Sequence, residues 1–217
     1  RSGSKRIKNK NLKKINNLTL VARAIINCGK SKEIKRIFLS TDSIKISREG
    51  KKYGAEVPFL RPKNLSDDHT STQKVVNHAI NQLNDKHLVK NVCCIYATAP
   101  FIDYKNLIKA NKILKDDKYI FVFTASKFHS SVFRSFYFEK KKLVKLFPKF
   151  INSRSQDLKD TYFDVGQFYY ANKKIWLTKK IFSKNAKIIK IPHLKSYDLN
   201  DLEDWNILNK IKKITNL

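Results

Sequence analysis

The amino-terminal segment of the chain, residues 1–13, combines small residues with many cations. It reads Arg-Ser-Gly-Ser-Lys-Arg-Ile-Lys-Asn-Lys-Asn-Leu-Lys. Small residues let backbone amides approach an anion closely, and the neighbouring lysine and arginine side chains neutralise its charge. This basic segment therefore favours triphosphate binding, although it has neither the Gly-Lys-Ser/Thr ending of a P-loop nor the spacing of a dinucleotide-binding fingerprint. By itself, a basic terminus is more often a solvated tail than a site.

The whole chain is strongly basic. Lys and Arg number 46 against 18 Asp and Glu, which gives a formal net charge of +28. Clustered cations indicate a nucleic-acid partner, because they neutralise phosphates and release counterions. Here the lysines are spread over the whole chain, with no zinc-finger, RNP-like or Gly/Arg-rich motif. We therefore predict no nucleic-acid partner and attribute the charge to a compositional preference for lysine. A basic nucleic-acid-binding α/β module remains the alternative from a different class.

Strand-like and helix-like segments alternate along the chain, and these elements must position any functional residues. The apolar patterns predict strands over residues 36–40, 56–60, 91–97, 119–125 and 167–171. They predict helices over residues 18–28, 42–52, 70–84, 104–115 and 201–214. Between these elements, residues 132–138 and 143–147 have the alternation of a hairpin.

This order of elements predicts one α/β domain over residues 1–217. Alternating strands and helices imply a largely parallel sheet with right-handed crossovers and helices on both faces. Ligands of such sheets bind in the crevice beyond the carboxyl ends of the strands. The loops that follow strands are therefore where functional side chains are expected.

Three features limit where the protein acts. No apolar run approaches the roughly 20 residues of a membrane-spanning helix, so we predict no membrane partner. The basic amino terminus lacks the apolar stretch of a signal peptide, so a cytoplasmic location is expected. The three cysteines, Cys28, Cys93 and Cys94, match neither a disulfide framework nor a metal-ligand spacing. We interpret them as small buried hydrophobic residues.

Several motifs, taken in order, resemble those of the cytidylyltransferases for nonulosonic acids, the family that contains the CMP-sialate synthetases. The basic segment is similar to the family's opening motif Arg-x-Gly-Ser-Lys-Arg-Ile-Pro-x-Lys-Asn, with Lys8 at the position of the usual proline. Further matches follow in the family's order, and they are Ser40-Thr41-Asp42-Ser43, Tyr53-Gly54-Ala55, Leu60-Arg61-Pro62, Leu65-Ser66-Asp67-Asp68 and Thr70-Ser71-Thr72. Two further motifs resemble the pseudaminate-using branch in particular, and they are Tyr96-Ala97-Thr98-Ala99-Pro100 and Ser153-Arg154-Ser155-Gln156-Asp157-Leu158. The resemblance covers nearly the whole chain.

The resemblance implies a fold and an activity. The fold would be the Rossmann-like nucleotide-diphospho-sugar transferase fold. The reaction would transfer CMP from CTP to the anomeric hydroxyl of an acidic nine-carbon sugar, above all pseudaminic acid, with Mg²⁺ as cofactor and pyrophosphate as second product. Relatives form homodimers through a protruding hairpin, here about residues 128–150, which lends residues to the neighbour's sugar pocket. Phenylalanines of this region, such as Phe133 and Phe138, fit an ordinary core equally well.

The resemblance also implies roles for residues around the nucleotide. Arg1, Lys5 and Lys10 would be the catalytic cations that hold the triphosphate, assisted by the backbone amides of Ser2, Gly3 and Ser4. Asn11 would lie in the nucleotide pocket, and the cytidine portion would contact Arg61, Ser71 and Thr72. Other interpretations stay open, because Arg61 could form a surface salt bridge and the two hydroxyl residues could cap the following helix.

For the metal, the resemblance implies Asp198 and the position of Asn200. Family members have an Asp-x-Asp pair there, whereas this chain has Asn as its second member. An amide oxygen is uncharged and a weaker ligand, so the site either binds Mg²⁺ less tightly or takes a ligand from elsewhere, such as Asp201.

For the acidic sugar, the resemblance implies a guanidinium, because its planar fork pairs with both oxygens of a carboxylate. The candidate recognition turn contains Arg154, Ser155, Gln156 and Asp157, and Asp164 would add a polar contact. A loop arginine without the resemblance is more often simply solvated.

The resemblance leads to one further expectation and leaves several alternatives open. Family members have a buried strand and an alanine before the position of Arg1, so we expect this sequence to be amino-terminally incomplete. The alternatives within the enzyme class are synthetases of CMP-legionaminate, CMP-N-acetylneuraminate or CMP-amino-Kdo, because only pocket contacts would differ. A decayed, inactive homologue is also compatible with Lys8, with Asn200 and with the absent strand.

Overall fold

A four-stranded mixed sheet organises the chain in the computed structural model, which describes residues 1–116, 118–178, 182 and 184–215. The strands are β1 (Lys14–Ile15), β2 (Leu18–Thr19), β3 (Asn91–Ile95), β4 (Phe121–Lys127), β5 (Phe136–Glu139), β6 (Lys142–Lys145), β7 (Tyr162–Asn172) and β8 (Ala186–Lys190). The helices are α1 (Leu20–Gly29), α2 (Ile44–Lys52), α3 (Thr72–Asn81), α4 (Tyr104–Leu114), α5 (Lys173–Thr178) and α6 (Leu202–Thr215). The strand order in the main sheet is β3-β7-β4-β8.

Three strands of this sheet run in one direction and the central strand β7 runs in the other. β7 pairs antiparallel with β3 and with β4, whereas β4 pairs parallel with β8. The predicted α/β class is confirmed. The prediction of a largely parallel sheet is corrected to a mixed sheet, because of its three strand pairs just the β4–β8 pair is parallel. The reversal arises because the chain leaves β4 at its carboxyl end, passes through the β5–β6 hairpin and re-enters the sheet from that same edge.

Two of the predicted strands, over residues 36–40 and 56–60, shrink to a single parallel bridge between Phe38 and Glu56. Two backbone hydrogen bonds hold it, from Leu39 N to Glu56 O at 2.9 Å and from Glu56 N to Ile37 O at 2.8 Å. Pro58, two residues after Glu56, has no N–H with which to continue the ladder. The sequence pattern therefore predicts strands that are longer than the backbone pairing that the structure shows.

Helices cover both faces of the main sheet, as predicted. On one face, Leu107 and Ala110 of α4 pack against Val122, Phe168 and Ile189. On the other face, a second cluster joins α3 and α5 to the sheet and consists of Val76, Ile80, Trp176, Phe121 and Ala171. Residues Phe121 and Val122 are neighbours on β4 and face opposite sides, which follows from the two-residue period of a strand. The sheet is thus buried on both sides.

Polar residues begin the helices where the sequence places them. Ser43 accepts a hydrogen bond from Ile46 N at the start of α2, and Ser71 accepts one from Lys74 N at the start of α3. Asp103 caps α4 through Lys105 N. Each cap satisfies a backbone donor that has no partner within its helix. These caps place residues 40–43 and 68–72 just before helices, beside the basic segment.

Packing of the two ends of the chain brings distant motifs together. Ile15 and Leu20 from the amino-terminal region form one cluster with Leu199 and with Leu208 of α6. The exposed fractions of these four side chains are 1% or less. Burial at about 25 cal/mol per Å² of apolar surface makes this cluster a substantial stabilising contact. It fixes residues 10–13 next to residues 197–200.

The β5–β6 hairpin forms as predicted, and its apolar side chains point into solvent. Phe138 lies opposite Leu143 across the hairpin, and their exposed fractions are 75% and 58%. The turn residues Lys140 and Lys141 both have positive φ, as a two-residue hairpin turn requires. The longest helix of the described residues has 14 residues, and none of the helices there combines the length and the apolar character needed to cross a membrane.

Candidate active site

The basic segment docks on Asp42, which lies just before α2. Ser2 donates two hydrogen bonds to this carboxylate, from its backbone N and from its Oγ, and each is 2.7 Å long. Burial opposes ionisation of Asp42, but the hydrogen bonds from Ser2 outweigh it and lower the pKa of the carboxyl below its ordinary value. Ser4 N donates to Ser2 O at 2.9 Å, and Asn11 Nδ2 donates to Arg1 O at 3.2 Å. The segment is therefore an ordered, folded-back turn.

Two of the predicted triphosphate-binding cations share one acid. Lys5 Nζ lies 2.8 Å from Asp68 Oδ2, and the Arg1 guanidinium forms an ion pair with the same carboxylate. Hydrogen bonds from Lys5 and Arg1 lower the pKa of Asp68 to about 2. A triphosphate at this position would have to replace Asp68 as the partner of both cations.

The third cation, Lys10, lies in a different environment. Its ammonium group donates a hydrogen bond to Leu199 O. Burial lowers the pKa of Lys10, while the charge of Asp198 opposes that change. Lys10 thus lies beside the predicted metal ligand, although about 190 positions separate the two motifs in the chain.

Asp198 has the arrangement of an acid that lacks a ligand. Its Oδ1 is buried and has no hydrogen-bond partner among the described residues. Burial raises the pKa of Asp198, and a hydrogen bond from the Thr98 side chain partly offsets this effect. A buried carboxylate oxygen without a partner is costly unless something binds it. One carboxylate, completed by phosphate and water, is a common protein contribution to Mg²⁺ binding, so this site fits the implied metal.

The remaining metal-site residues fit less well. Asn200 is exposed, and its backbone N donates to Asp204 Oδ2 at 2.7 Å. Asp201, the predicted alternative ligand, accepts a hydrogen bond from Asp204 N at 3.0 Å and thereby caps α6. No cluster of three or more His, Cys, Asp or Glu residues that could hold a metal occurs in the part of the chain that the structure describes. Asp198 is accordingly the principal protein ligand that this region offers.

Tyr96 links the predicted nucleotide and sugar residues at the carboxyl end of β3. Its hydroxyl is hydrogen-bonded to the Thr72 hydroxyl, and its ring packs edge-on against Tyr169 with 5.6 Å between centroids. Tyr169 in turn donates a hydrogen bond of 2.7 Å to Asp164 Oδ2. Burial raises the pKa of Tyr96 to about 12, so its hydroxyl stays protonated. Thr72 and Asp164 therefore belong to one connected group.

Gly166 forms the turn that holds Asp164 in this hydrogen-bonded group. It has a φ of +67°, a conformation that residues with a Cβ rarely adopt. Its N–H donates to Asp164 Oδ1 at 2.9 Å, and a Cβ at this position would lie 3.7 Å from Tyr96 Cδ2. The turn thus directs Asp164 back toward Tyr169.

The structure bears on the alternative interpretations of the other predicted cytidine contacts, Ser71 and Arg61. Ser71 Oγ accepts the hydrogen bond from Lys74 N at 3.4 Å, so the helix cap is real. Arg61 has a buried Nε without a hydrogen-bond partner, and no salt bridge involves it within the described residues. Burial lowers the pKa of Arg61, with the charge of Asp42 acting in the opposite direction. The alternative of a surface salt bridge is therefore not found in the described residues, and the partly buried guanidinium lies near the amino group of Arg1.

The predicted sugar-recognition turn lies apart from this group. Arg154 pairs with Asp157 through Nε at 2.8 Å and through Nη2 at 3.2 Å, and Ser155 Oγ accepts a hydrogen bond from Arg134 at 3.1 Å. Gln156 is exposed. Among the described residues, no hydrogen bond or ion pair joins this turn to Asp198 or to the basic segment. Its role in sugar recognition stays a prediction.

Four residues that contribute to the geometry had no role assigned from the sequence. They are Asp42, Asp68, Tyr96 and Thr98, and each lies inside a motif that the sequence already singles out. The sequence therefore placed these four residues inside recognisable motifs but did not indicate what each side chain does. A cavity of about 370 Å³ between α2 and residues 57–60 is lined by none of the predicted site residues, so it is separate from the candidate site.

An α/β fold in which Lys10 lies beside the partly buried Asp198, beyond the carboxyl ends of the strands, is typical of the class of α/β enzymes that bind nucleotides. The family model described as Cytidylyltransferase matches residues 1–212, and the chain belongs to that family. The predicted nucleotidyltransferase class is thereby confirmed.

Two relatives and one solved structure show the range of similarity. The chain is 35% identical to the pseudaminic acid cytidylyltransferase of Campylobacter jejuni strain 81-176, over 99% of this chain and 94% of that protein. It is 28% identical to the CMP-N,N'-diacetyllegionaminic acid synthase of the same species, over 100% of this chain and 94% of that protein. A CMP:2-keto-3-deoxy-manno-octonic acid synthetase in complex with CTP superposes with a TM-score of 0.70 and 9% identity, covering 99% and 95% of the two chains, which supports the fold.

Proposed function

We propose that this chain transfers CMP from CTP to pseudaminic acid. In this reaction the anomeric hydroxyl oxygen attacks the α-phosphorus, the bond to the β-phosphate breaks, pyrophosphate leaves and the hydroxyl proton is released. The observation that carries the proposal is the juxtaposition of Lys10 with Asp198, whose Oδ1 has no partner among the described residues. The identity of 35% to a pseudaminic acid cytidylyltransferase supports this choice of sugar.

In this proposal, the chain acts mainly through positioning and charge neutralisation, which dominate phosphoryl-transfer catalysis. When CTP binds, Arg1 and Lys5 leave their ion pairs with Asp68 and pair with the β- and γ-phosphates. Lys10 is already held by the Leu199 carbonyl next to Asp198, so its ammonium group supports the phosphate nearest the reacting bond. The amides of Ser2, Gly3 and Ser4 and the Asn11 side chain complete the nucleotide site.

Asp198, assisted by the amide of Asn200, would hold Mg²⁺. When bound, the metal would neutralise charge on the phosphate oxygens and on the departing pyrophosphate. Arg61, Thr72 and the Ser71 region would contact the cytidine portion. Tyr96 keeps Thr72 in place through their shared hydrogen bond.

We further propose that a second copy of the chain completes the sugar site. The exposed apolar side chains of the β5–β6 hairpin are typical of a surface that another protein covers. The recognition turn is tied to the base of this hairpin by Arg134 and Ser155. A homodimer would explain why Arg154 lies apart from Asp198, because the turn would reach the neighbour's pocket. Arg154 would then exchange Asp157 for the carboxylate of the sugar.

The experiment that tests the proposal measures Mg²⁺-dependent release of pyrophosphate from CTP. Pseudaminate, legionaminate and N-acetylneuraminate are offered separately to the purified protein. Release with pseudaminate supports the proposal, and preference for legionaminate would favour the second candidate, which the 28% identity to a legionaminate-using relative motivates. Amino-Kdo serves as a fourth acceptor. Loss of CTP binding together with silence toward all four sugars would favour a decayed homologue.

We also propose that the enzyme is cytoplasmic and has no nucleic-acid partner. All three cysteines are free, which suits a reducing compartment. The positive charge acts, in this view, by attracting CTP and an acidic sugar. Filter binding of duplex DNA and of RNA at physiological salt tests the second point, and micromolar retention that survives that salt would contradict it.

A further inference from the structure

Two histidines extend the candidate site along the carboxyl edge of the sheet. β4 and β8 are parallel neighbours that end at this edge, with Ala125 opposite Lys190. His129 follows β4, and His193 follows β8 as the first residue of a short 3-10 turn, His193–Lys195. Their ring centroids are 6.2 Å apart. The topology thus brings two imidazoles, distant in sequence, to one place.

This pair adjoins the loop of Asp198. The His193 ring centroid lies 6.2 Å from that of Tyr197, the residue before Asp198. On the other side, Phe128 N donates to Thr161 O at 3.0 Å, so His129 lies beside the segment that leads to Asp164. The pair therefore occupies the stretch between the proposed metal ligand and a proposed sugar contact.

The backbone turn that carries His193 is held by two side-chain hydrogen bonds. Ser196 Oγ donates to His193 O at 2.7 Å, and Gln167 Nε2 donates to Lys195 O at 2.8 Å. Gln167 is only 1% exposed, so its amide is a fixed anchor under the turn. A short turn on the exposed rim of a domain does not by itself need a buried amide as support. Such support is characteristic of groups that must hold their position for a ligand.

The imidazoles themselves remain available. Both histidines are exposed, and in the described part of the chain neither imidazole has a hydrogen-bond or ion-pair partner. Their separation is too large for a direct bond between the rings. It suits a ligand oxygen that lies between two N–H donors, since each such bond spans about 2.9 Å.

We propose that His129 and His193 bind the acceptor sugar, donating hydrogen bonds to oxygen atoms of its carboxylate or acyl-amino groups. The inference rests on the proposed function. It assigns to this chain an acceptor-binding surface, here called the histidine wall, that consists of His129 and His193 and does not involve the Arg154 turn. The pair adjoins the Asp198 loop, and among the described residues no hydrogen bond or ion pair joins it to Asp68, Arg1 or Lys5. In this proposal it therefore acts on the sugar and not on CTP.

The test compares His129→Ala, His193→Ala and the double variant with the unmodified enzyme. The matched control is His87→Ala, an exposed histidine before the amino end of β3, at the opposite edge of the sheet. Steady-state pyrophosphate release gives KM for the sugar and KM for CTP separately. Each single substitution should raise the sugar KM about tenfold, as loss of one hydrogen bond to a charged group implies, and should leave the CTP KM within about twofold. His193→Gln keeps an N–H donor and should recover part of the loss.

The outcomes distinguish this inference from the proposed function. If the unmodified enzyme prefers legionaminate, and the variants raise KM for that sugar, the choice of pseudaminate fails while the histidine wall stands. If the enzyme uses pseudaminate and the variants leave the sugar KM unchanged, the histidine wall fails while the proposed function stands. An equal rise of both KM values, matched by lower melting temperatures, would indicate a structural role and would also overturn the inference.

Discussion

Lys5 Nζ lies 2.8 Å from Asp68 Oδ2, so a cation predicted to bind the triphosphate is already paired with an acid. Arg1 pairs with the same carboxylate. Asp68→Asn should therefore bind CTP about two- to fivefold more tightly, because the phosphates no longer compete with a charged partner. Isothermal titration with CTP measures the change, which should shrink as salt is raised.

The control for this prediction is Asp85→Asn, which removes another exposed acid paired with an arginine, Arg36. It leaves the basic segment untouched and should not change CTP affinity. Weaker CTP binding by Asp68→Asn would show that the acid orders the cations for the nucleotide instead of competing with it.

The second metal position offers a gain-of-function prediction. Asn200→Asp adds a charged ligand beside Asp198 and should lower the Mg²⁺ concentration for half-maximal activity by about tenfold. Asp198→Ala should abolish Mg²⁺-dependent turnover. Metal titrations of pyrophosphate release at saturating CTP measure both effects.

Asn200→Ala is the matched control, and it should change the half-saturating Mg²⁺ concentration much less. An Asn200→Asp variant with an unchanged metal requirement would place the metal elsewhere. Asn200 is exposed, and its backbone N donates a hydrogen bond to Asp204. These two features would then explain why position 200 does not bind the metal.

The three cysteines should be unreactive in the folded enzyme. Burial raises the pKa of Cys28 and of Cys94 to about 12, and it raises that of Cys93 as well. A raised thiol pKa keeps the protonated form dominant, so at pH 8 very little of the reactive thiolate is present. Alkylation by iodoacetamide at pH 8, followed by mass spectrometry, should be slow in buffer and rapid in 6 M guanidinium for all three. Rapid modification of the folded protein would contradict this burial, even though the residues Cys93 and Cys94 as a whole are only partly buried.

The hairpin surface should govern association. Phe138→Asp places a charge at the most exposed of its apolar side chains and should shift a dimer toward monomer in sedimentation-velocity experiments at micromolar concentration. Leu88→Asp is the control, because Leu88 is also strongly exposed, at 69%, but lies outside the hairpin. A monomeric unmodified protein, or equal effects of both substitutions, would argue against the proposed homodimer.

Much of the local structure followed from the sequence. Ser43, Ser71 and Asp103 are residues that favour helix starts, and each caps the helix that follows it. The hairpin and the strands predicted from the apolar runs over residues 91–97, 119–125 and 167–171 are also present, with shifted ends. The prediction failed for α5 and β8, which were not assigned, since a six-residue helix and a five-residue strand rich in lysine produce weak periodic signals.

The sequence by itself determined the class of the protein, because the basic segment, the ordered motifs and the alternation of elements are all properties of residues that are neighbours along the chain. Only the tertiary structure decided that Lys10 lies beside Asp198, that Asp68 holds Arg1 and Lys5, and that β7 reverses direction inside the sheet. These relationships depend on which distant segments share a buried cluster, such as the one that joins Ile15 to Leu208. Burial is non-directional and is decided by the whole chain at once, so no local pattern could have specified them.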